Sequence, residues 1–156
     1  MADFAAMTAA DANALVAAAA ALQNAADGGM THRALHGKDL ALLCNAGDAA
    51  ELFRRAASTL GARVAQLPPS LTELSTPEQV QHTARMLGRL YDGIECVGMS
   101  ADLVLRIGAA AGVPVFEGLS CRNHPSAQLA SRLNPRRSID DNRCALMQAV
   151  LIAALA

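Results

Sequence analysis

The chain has 156 residues, of which 53% are hydrophobic, and 13 lysines and arginines face 14 acidic residues for a formal net charge of −1. That length fits one domain with an apolar core of its own. The charge balance, with aromatics at only 3% and no tryptophan, argues against nucleic acid, because there is neither a basic field for phosphates nor a set of rings for bases to stack on.

Four cysteines, Cys44, Cys96, Cys121 and Cys144, are widely spaced and contain no Cys-x-x-Cys pair. Neither a zinc site nor a disulfide framework is therefore expected; reduced, mostly buried thiols in a cytoplasmic protein are.

The first helix is expected to start at Thr8, since Thr8 and Asp11 have the spacing of a capping box. It should align Leu15, Ala18, Ala19 and Leu22 on one face and end at Asp27-Gly28-Gly29. The apolar run 15–22 follows Asp3 and Asp11 rather than a basic leader, which does not fit a signal peptide. Residues 39–44 form a short apolar run suited to a buried strand. Residues 48–60 are helical, with Leu52, Phe53, Ala56 and Leu60 on one face and Gly61 at the end; 62–67 read as a second strand, stopped by Pro68-Pro69. A helix over 77–90 has proline in its first turn and the stripe Val80, Ala84, Leu87 and Leu90. Residues 93–97 are a third strand. Ser100 caps a helix carrying Leu103, Val104 and Ile107 and closed by Gly112; 113–116 are a fourth strand and 124–133 another helix.

Short apolar strands alternating with helices point to an α/β fold of three layers, a parallel sheet with helices on both faces. Residues 1–156 read as one domain in which 134–140 are a polar linker. The closing helix, 141–156, is preceded by a second cap signal at Ser138 and Asp141. Its apolar part, 144–156, is too short to span a bilayer, so no membrane association is expected. Because it is apolar almost all round, most of its circumference must be buried, either in its own domain or against another subunit.

Three segments carry a family resemblance: Leu35-His-Gly-Lys-Asp-Leu-Ala-Leu-Leu43; His82-Thr-Ala-Arg-Met-Leu-Gly-Arg-Leu-Tyr-Asp-Gly-Ile94; and Val113-Pro-Val-Phe-Glu-Gly-Leu119 followed by His124-Pro125. In order and spacing they resemble the carbamoyl-phosphate-binding half of the aspartate/ornithine carbamoyltransferases over roughly residues 8–133. The resemblance implies a four-stranded parallel sheet in the order 2-1-3-4 and no cofactor. It also implies assembly as a homotrimer; mixed assembly with a full-length carbamoyltransferase is a variant of that expectation. Asp141-Asn-Arg143 and the helix after it resemble the family's last helix, which returns to this half. No second strand–helix series follows Leu133, which suggests that the amino-acid-binding domain was excised at the linker.

In such a sheet the ligand site lies beyond the carboxyl ends of the strands, where the order reverses. The family has an arginine-bearing loop there; this chain has Asn45-Ala-Gly47-Asp48-Ala-Ala-Glu51. The family's strand arginine aligns with Val97, and its His-Pro-x-Gln glutamine aligns with Ala127, with Gln128 one place on. Asp48 is expected to cap the second helix, taking the N–H groups that an anion would use. The expectation is a domain without catalytic residues that binds carbamoyl phosphate weakly or not at all and works by association. One alternative is a small-molecule binder selecting an uncharged or cationic ligand with Asn45, Asp48, Glu95 and His124. Another is a transferase that keeps carbamoyl-phosphate binding, with Arg122, Arg85 or a neighbouring subunit supplying the positive charge.

Each candidate also has a structural reading. His124 either polarises a carbonyl or caps the last helix, and Arg122 either replaces a lost arginine or is a solvated loop charge. Arg85 either serves the site or makes a structural ion pair, and Arg54 and Arg55 read as an exposed helix face. Gly47 and Gln128 complete the candidate set. Cys121 and His124, with Cys44 near, do not define a tetrahedral site, so no metal is expected.

Overall fold

A computed structural model describes residues 4–156; Asp3 lies outside them. The apolar runs form four parallel strands, β1 (Asp39–Leu43), β2 (Arg63–Leu67), β3 (Gly93–Cys96) and β4 (Val115–Glu117), in the order β2-β1-β3-β4. The order reverses between β1 and β3. Side chains alternate along β1: Leu40 and Leu42 enter one core and Ala41 and Leu43 the other, as a two-residue period requires.

Two helices cover each face. On one, α2 (Asp48–Thr59) and α5 (Ile139–Leu155) bury Leu52, Phe53, Ala56, Met147, Val150 and Leu151 against the sheet. On the other, α3 (Pro77–Leu90) and α4 (Ala101–Ala111) supply Val80, Ala84, Leu87, Leu103, Val104 and Ile107. The helix α1 (Ala9–Asp27) lies outside α5, and Ala19 meets Leu146 and Ala149 there. Because α5 is enclosed by α1, α2 and the sheet, its all-round apolar pattern is satisfied within its own domain.

Helix ends follow the cap signals. Thr8 and Asp11 form a reciprocal capping box and the Ser100 hydroxyl accepts the Leu103 N–H; a further box, Thr76 with Gln79, was not among the expected caps. Gly112 ends α4 in the left-handed region at φ 73°, where a side chain would be strained. Gly88 lets α3 approach α4: a Cβ there would lie 1.8 Å from the Ala111 carbonyl oxygen.

Four expectations are corrected. Residues 124–133 are not an α-helix but a 3-10 helix, Pro125–Arg132. The Ala127 and Leu133 N–H groups bond three residues back, and the Ser126 N–H is drawn to the His124 ring, which tightens the first turn. The fourth strand starts at Val115, opposite Ile94, because Pro114 has no N–H to give the ladder. The last helix starts at Ile139, directly after its cap Ser138, so only a short turn of the polar stretch separates it from the 3-10 helix. The Ser138 box is one-sided: Ser138 caps the Asp141 N–H, but the Asp141 carboxylate pairs with Arg55.

Candidate functional site

The carboxyl ends of the strands open beside the start of α2. A depression of about 340 Å³ lies there, lined by the carboxylates of Asp48, Glu51 and Asp140 and the guanidiniums of Arg55, Arg122 and Arg143, with Ser120 in its wall. Formal charge in it is balanced, three against three. Two of the guanidiniums are committed: Arg55 pairs with Asp141, and Arg143 pairs with Asp140 at 3.0 Å while donating to the Ser120 carbonyl at 2.9 Å. Arg122, exposed on the loop after β4, makes no ion pair among the described residues.

The expected Asp48 cap is absent. Gly47 occupies the cap position with an extended backbone, and Asp48 is the first helical residue, from which its side chain makes no cap hydrogen bond. The N–H groups of the first turn of α2 are therefore not closed off by a side chain. Asp48 and Glu51 nonetheless place two carboxylates at the positive end of the helix, where they compensate the dipole that would attract an anion. Asn45 and Gly47 are exposed on the same loop.

Glu95 does not face this opening. It is fully buried in β3, where its Oε1 accepts the Leu119 N–H at 3.0 Å and its Oε2 the Ser120 N–H at 2.8 Å. Burial pushes its carboxyl up to about 7 against the pull of the Ser120 and Leu119 amides. His124 is also buried. Its Nδ1 accepts the Ser126 N–H at 3.2 Å, lies 2.7 Å from the Ser126 hydroxyl, and the ring meets Phe4 edge-on at 4.7 Å. Burial lowers it to about 4, so the ring is neutral near pH 7, and acceptance at Nδ1 puts its proton on Nε2. Its position is that of a cap on the 3-10 helix.

The remaining candidates scatter. Arg85 lies on the outer face of α3, in a separate depression with His82 and Arg89, and forms no ion pair among the described residues, contrary to expectation. Gln128 is exposed on the 3-10 helix. Arg54 is half-buried rather than exposed, donating to Gln66 on β2. Cys44 and Cys121 are close enough to Glu95 for its charge to raise both thiols, with burial the larger cause.

The Asp-Asn-Arg segment does more than sequence reasoning assigned to it. Besides the Asp141 and Arg143 contacts above, Asn142 is a buried clamp: its Oδ1 accepts from Gln23 of α1 at 2.8 Å, and its Nδ2 donates to the carbonyls of Ala130 and Asn134. The only sequence signal for this was the resemblance of the motif itself.

The chain is an open parallel α/β sheet with a charged depression between the start of α2, the loop after β4 and the start of α5, and comparison with known proteins narrows the class. Residues 1–134 match the family described as aspartate/ornithine carbamoyltransferase, carbamoyl-P binding domain. The chain belongs to that family. It is 40% identical over 124 residues to an ornithine carbamoyltransferase of Cutibacterium acnes, covering 78% of this chain and 37% of that protein. A second, from Neisseria mucosa, is 45% identical over 84 residues, covering 54% of this chain and 32% of that protein. The solved ornithine carbamoyltransferase of Pyrococcus furiosus superposes with a TM-score of 0.67 at 30% identity, over 80% of this chain and 41% of that one. The chain thus spans well under half the length of these relatives. Among the described residues no helix is long and apolar enough to cross a membrane.

Proposed function

We propose that this chain is a non-catalytic carbamoyltransferase-family domain that works by association, as a cytoplasmic homotrimer or with a full-length carbamoyltransferase. The observation that carries this reading is the β1–α2 loop. From Asn45 to Glu51 it contains no arginine and puts Asp48 and Glu51 at the start of α2. The nearby guanidiniums of Arg55 and Arg143 are held by Asp141 and Asp140, and Val97, directly after β3, stands where the family pattern carries an arginine. A charge-assisted hydrogen bond contributes roughly 1.5–3 kcal/mol, so losing two or three of them costs an oxyanion several orders of magnitude in affinity.

Isothermal calorimetry with carbamoyl phosphate is expected to show no binding below millimolar concentration. Micromolar affinity would favour a domain that still binds carbamoyl phosphate. Light scattering is expected to give a mass three times that of the chain, and a clean monomer counts against self-association. A second reading, a small-molecule binder, draws on the juxtaposition of Asp48 and Glu51 with Arg122, which forms no ion pair among the described residues, around one depression.

A further inference from the structure

Parallel pairing with β1 uses only alternate residues of β2. The Arg63 N–H donates to the Lys38 carbonyl at 2.9 Å, and the Leu67 carbonyl accepts the Cys44 N–H at 3.2 Å, in a register that runs from Asp39 opposite Arg63 to Leu43 opposite Leu67. Arg63, Ala65 and Leu67 therefore turn their backbone groups toward β1, and Val64 and Gln66 turn theirs to the outer side. Among the described residues nothing takes these up: β2 is an edge that pairs with β1 alone, α2 packs on its face, and Val64 and Gln66 are half-exposed.

Sheet edges are ordinarily guarded by shortness, proline, bulges or charge. The other edge, β4, is three residues long, with Val115 buried and Glu117 exposed at its end. β2 has five residues and neither proline nor lysine within it. Its two polar side chains are tied back into the domain. Arg63 grips Asp39 of β1 through Nε at 2.6 Å and Nη2 at 2.8 Å, and Gln66 accepts from Arg54 of α2.

The ends of this edge limit what can add to it. On the outer side, Ala62 has already given its N–H to the Ala57 carbonyl at 3.1 Å, and Pro68 has none to give. Two residues remain, and they complement a copy of themselves. With the strands antiparallel and Val64 opposite Gln66 of the second copy, every free N–H meets a free carbonyl. With Val64 opposite Val64, or Gln66 opposite Gln66, half of these groups stay unpaired. In the full register Pro68 also falls opposite Ala62, so the position without a donor faces the one whose donor is spent.

We propose that the outer edge of β2 joins two copies of this chain, antiparallel about a two-fold axis at Ala65, with Val64 paired to Gln66 of the second copy. This edge extends the reading by association to a particular surface, and it holds whether or not a three-fold contact forms elsewhere on the chain. A single strand pair is a small contact that fills as concentration rises, so the unit weighed in dilute solution is unaffected.

Sedimentation equilibrium and disulfide trapping of the full chain test it. Val64→Pro removes an outward N–H and no bond to β1. At the same high concentration the unaltered chain should have at least twice the mass of this variant, whose own mass, three chains or one, decides the homotrimer separately. Ala65 would lie opposite itself at a position without hydrogen bonds, with Cα atoms about 4.5 Å apart and within disulfide reach. Ala65→Cys should therefore join two copies under a mild oxidant. Arg63→Cys, about 13 Å from its counterpart in the same register, should not. Both are read against the unaltered chain, which carries the part-exposed Cys121. No cross-link through Ala65→Cys, equal cross-linking of the two variants, or equal masses for the unaltered chain and Val64→Pro would overturn the edge. Should Val64→Pro fail to fold, the two cysteine variants decide.

Discussion

Glu95 and His124 are buried ionisable side chains displaced in opposite directions, and their contributions to stability oppose each other. Glu95, held near 7 against an ordinary 4.5, binds its proton more readily folded than unfolded, so acidification from pH 7 to 4.5 adds stability. His124, held near 4 against 6.5, binds its proton more readily unfolded, so acidification from pH 6.5 to 4 removes stability. Each full shift corresponds to roughly 3 kcal/mol. Between pH 6.5 and 4.5 the two should nearly cancel, leaving the natural protein with a flat profile. Asp11, Asp39 and Asp141, all held below the usual carboxylate range by their partners, act below that window. Urea unfolding at stepped pH is expected to show stability falling on acidification in Glu95→Gln and rising in His124→Gln. Parallel profiles for the three proteins would refute the assignment.

At the level of elements, the tightest constraint is the α3–α4 crossing. Gly88→Ala would drive a methyl carbon into the Ala111 carbonyl, part of the rigid backbone of α4, so the helices must separate along a face that buries Val80, Ala84, Leu87 and Ile107. Overpacking of this kind costs typically 1–3 kcal/mol, and backbone contact puts this case at the upper end, about 3 kcal/mol. The denaturation midpoint should drop accordingly, while Gly29→Ala, where no atom lies within 4 Å, should show only the smaller cost of its positive φ. Asn142→Ala strips a buried donor–acceptor clamp from Gln23, Ala130 and Asn134, leaving polar groups of three segments unpaired, and is expected to cost roughly 2–4 kcal/mol. Element type and order were legible in the sequence because period, caps and breakers agreed: Pro68-Pro69 stops β2, Pro77 opens α3, and Gly112 ends α4. The candidate site was legible only in outline. Asp48 failed as a cap because capping depends on a one-residue offset that composition does not reveal. Glu95 read as a site residue because a glutamate in a short strand looks the same whether it faces an opening or is sealed under a loop. The helix expected at 124–133 became 3-10 through a His124–Ser126 contact between side chain and backbone, for which helical periodicity carries no sign.

For the molecule as a whole, the question is what the final helix contributes. α5 separates the sheet from α1, so it belongs to two apolar clusters at once: Met147, Val150, Leu151 and Leu155 lie with Leu40, Leu42 and Phe53, and Leu146 lies with Ala19 and Leu133. Burying five large apolar side chains at about 1.5–3 kcal/mol each gives roughly 8–15 kcal/mol, an upper estimate because the unfolded chain already hides part of that surface. That is comparable to the whole stability of an ordinary domain, about 5–15 kcal/mol. Deleting residues 138–156 would also strand the Ala130 and Asn134 carbonyls, unpair Arg55 and expose the faces of α1, α2 and β1 together. The shortened chain is therefore expected to lose its cooperative thermal transition and near-ultraviolet circular dichroism while binding a hydrophobic dye, the signs of a core without fixed packing. A milder change grades the same claim: Leu151→Ala, at a side chain with no exposure, should lower stability by about 2–5 kcal/mol without abolishing the transition. If the shortened chain still melted cooperatively within a few degrees of the full one, α5 would be a docked accessory rather than a structural layer.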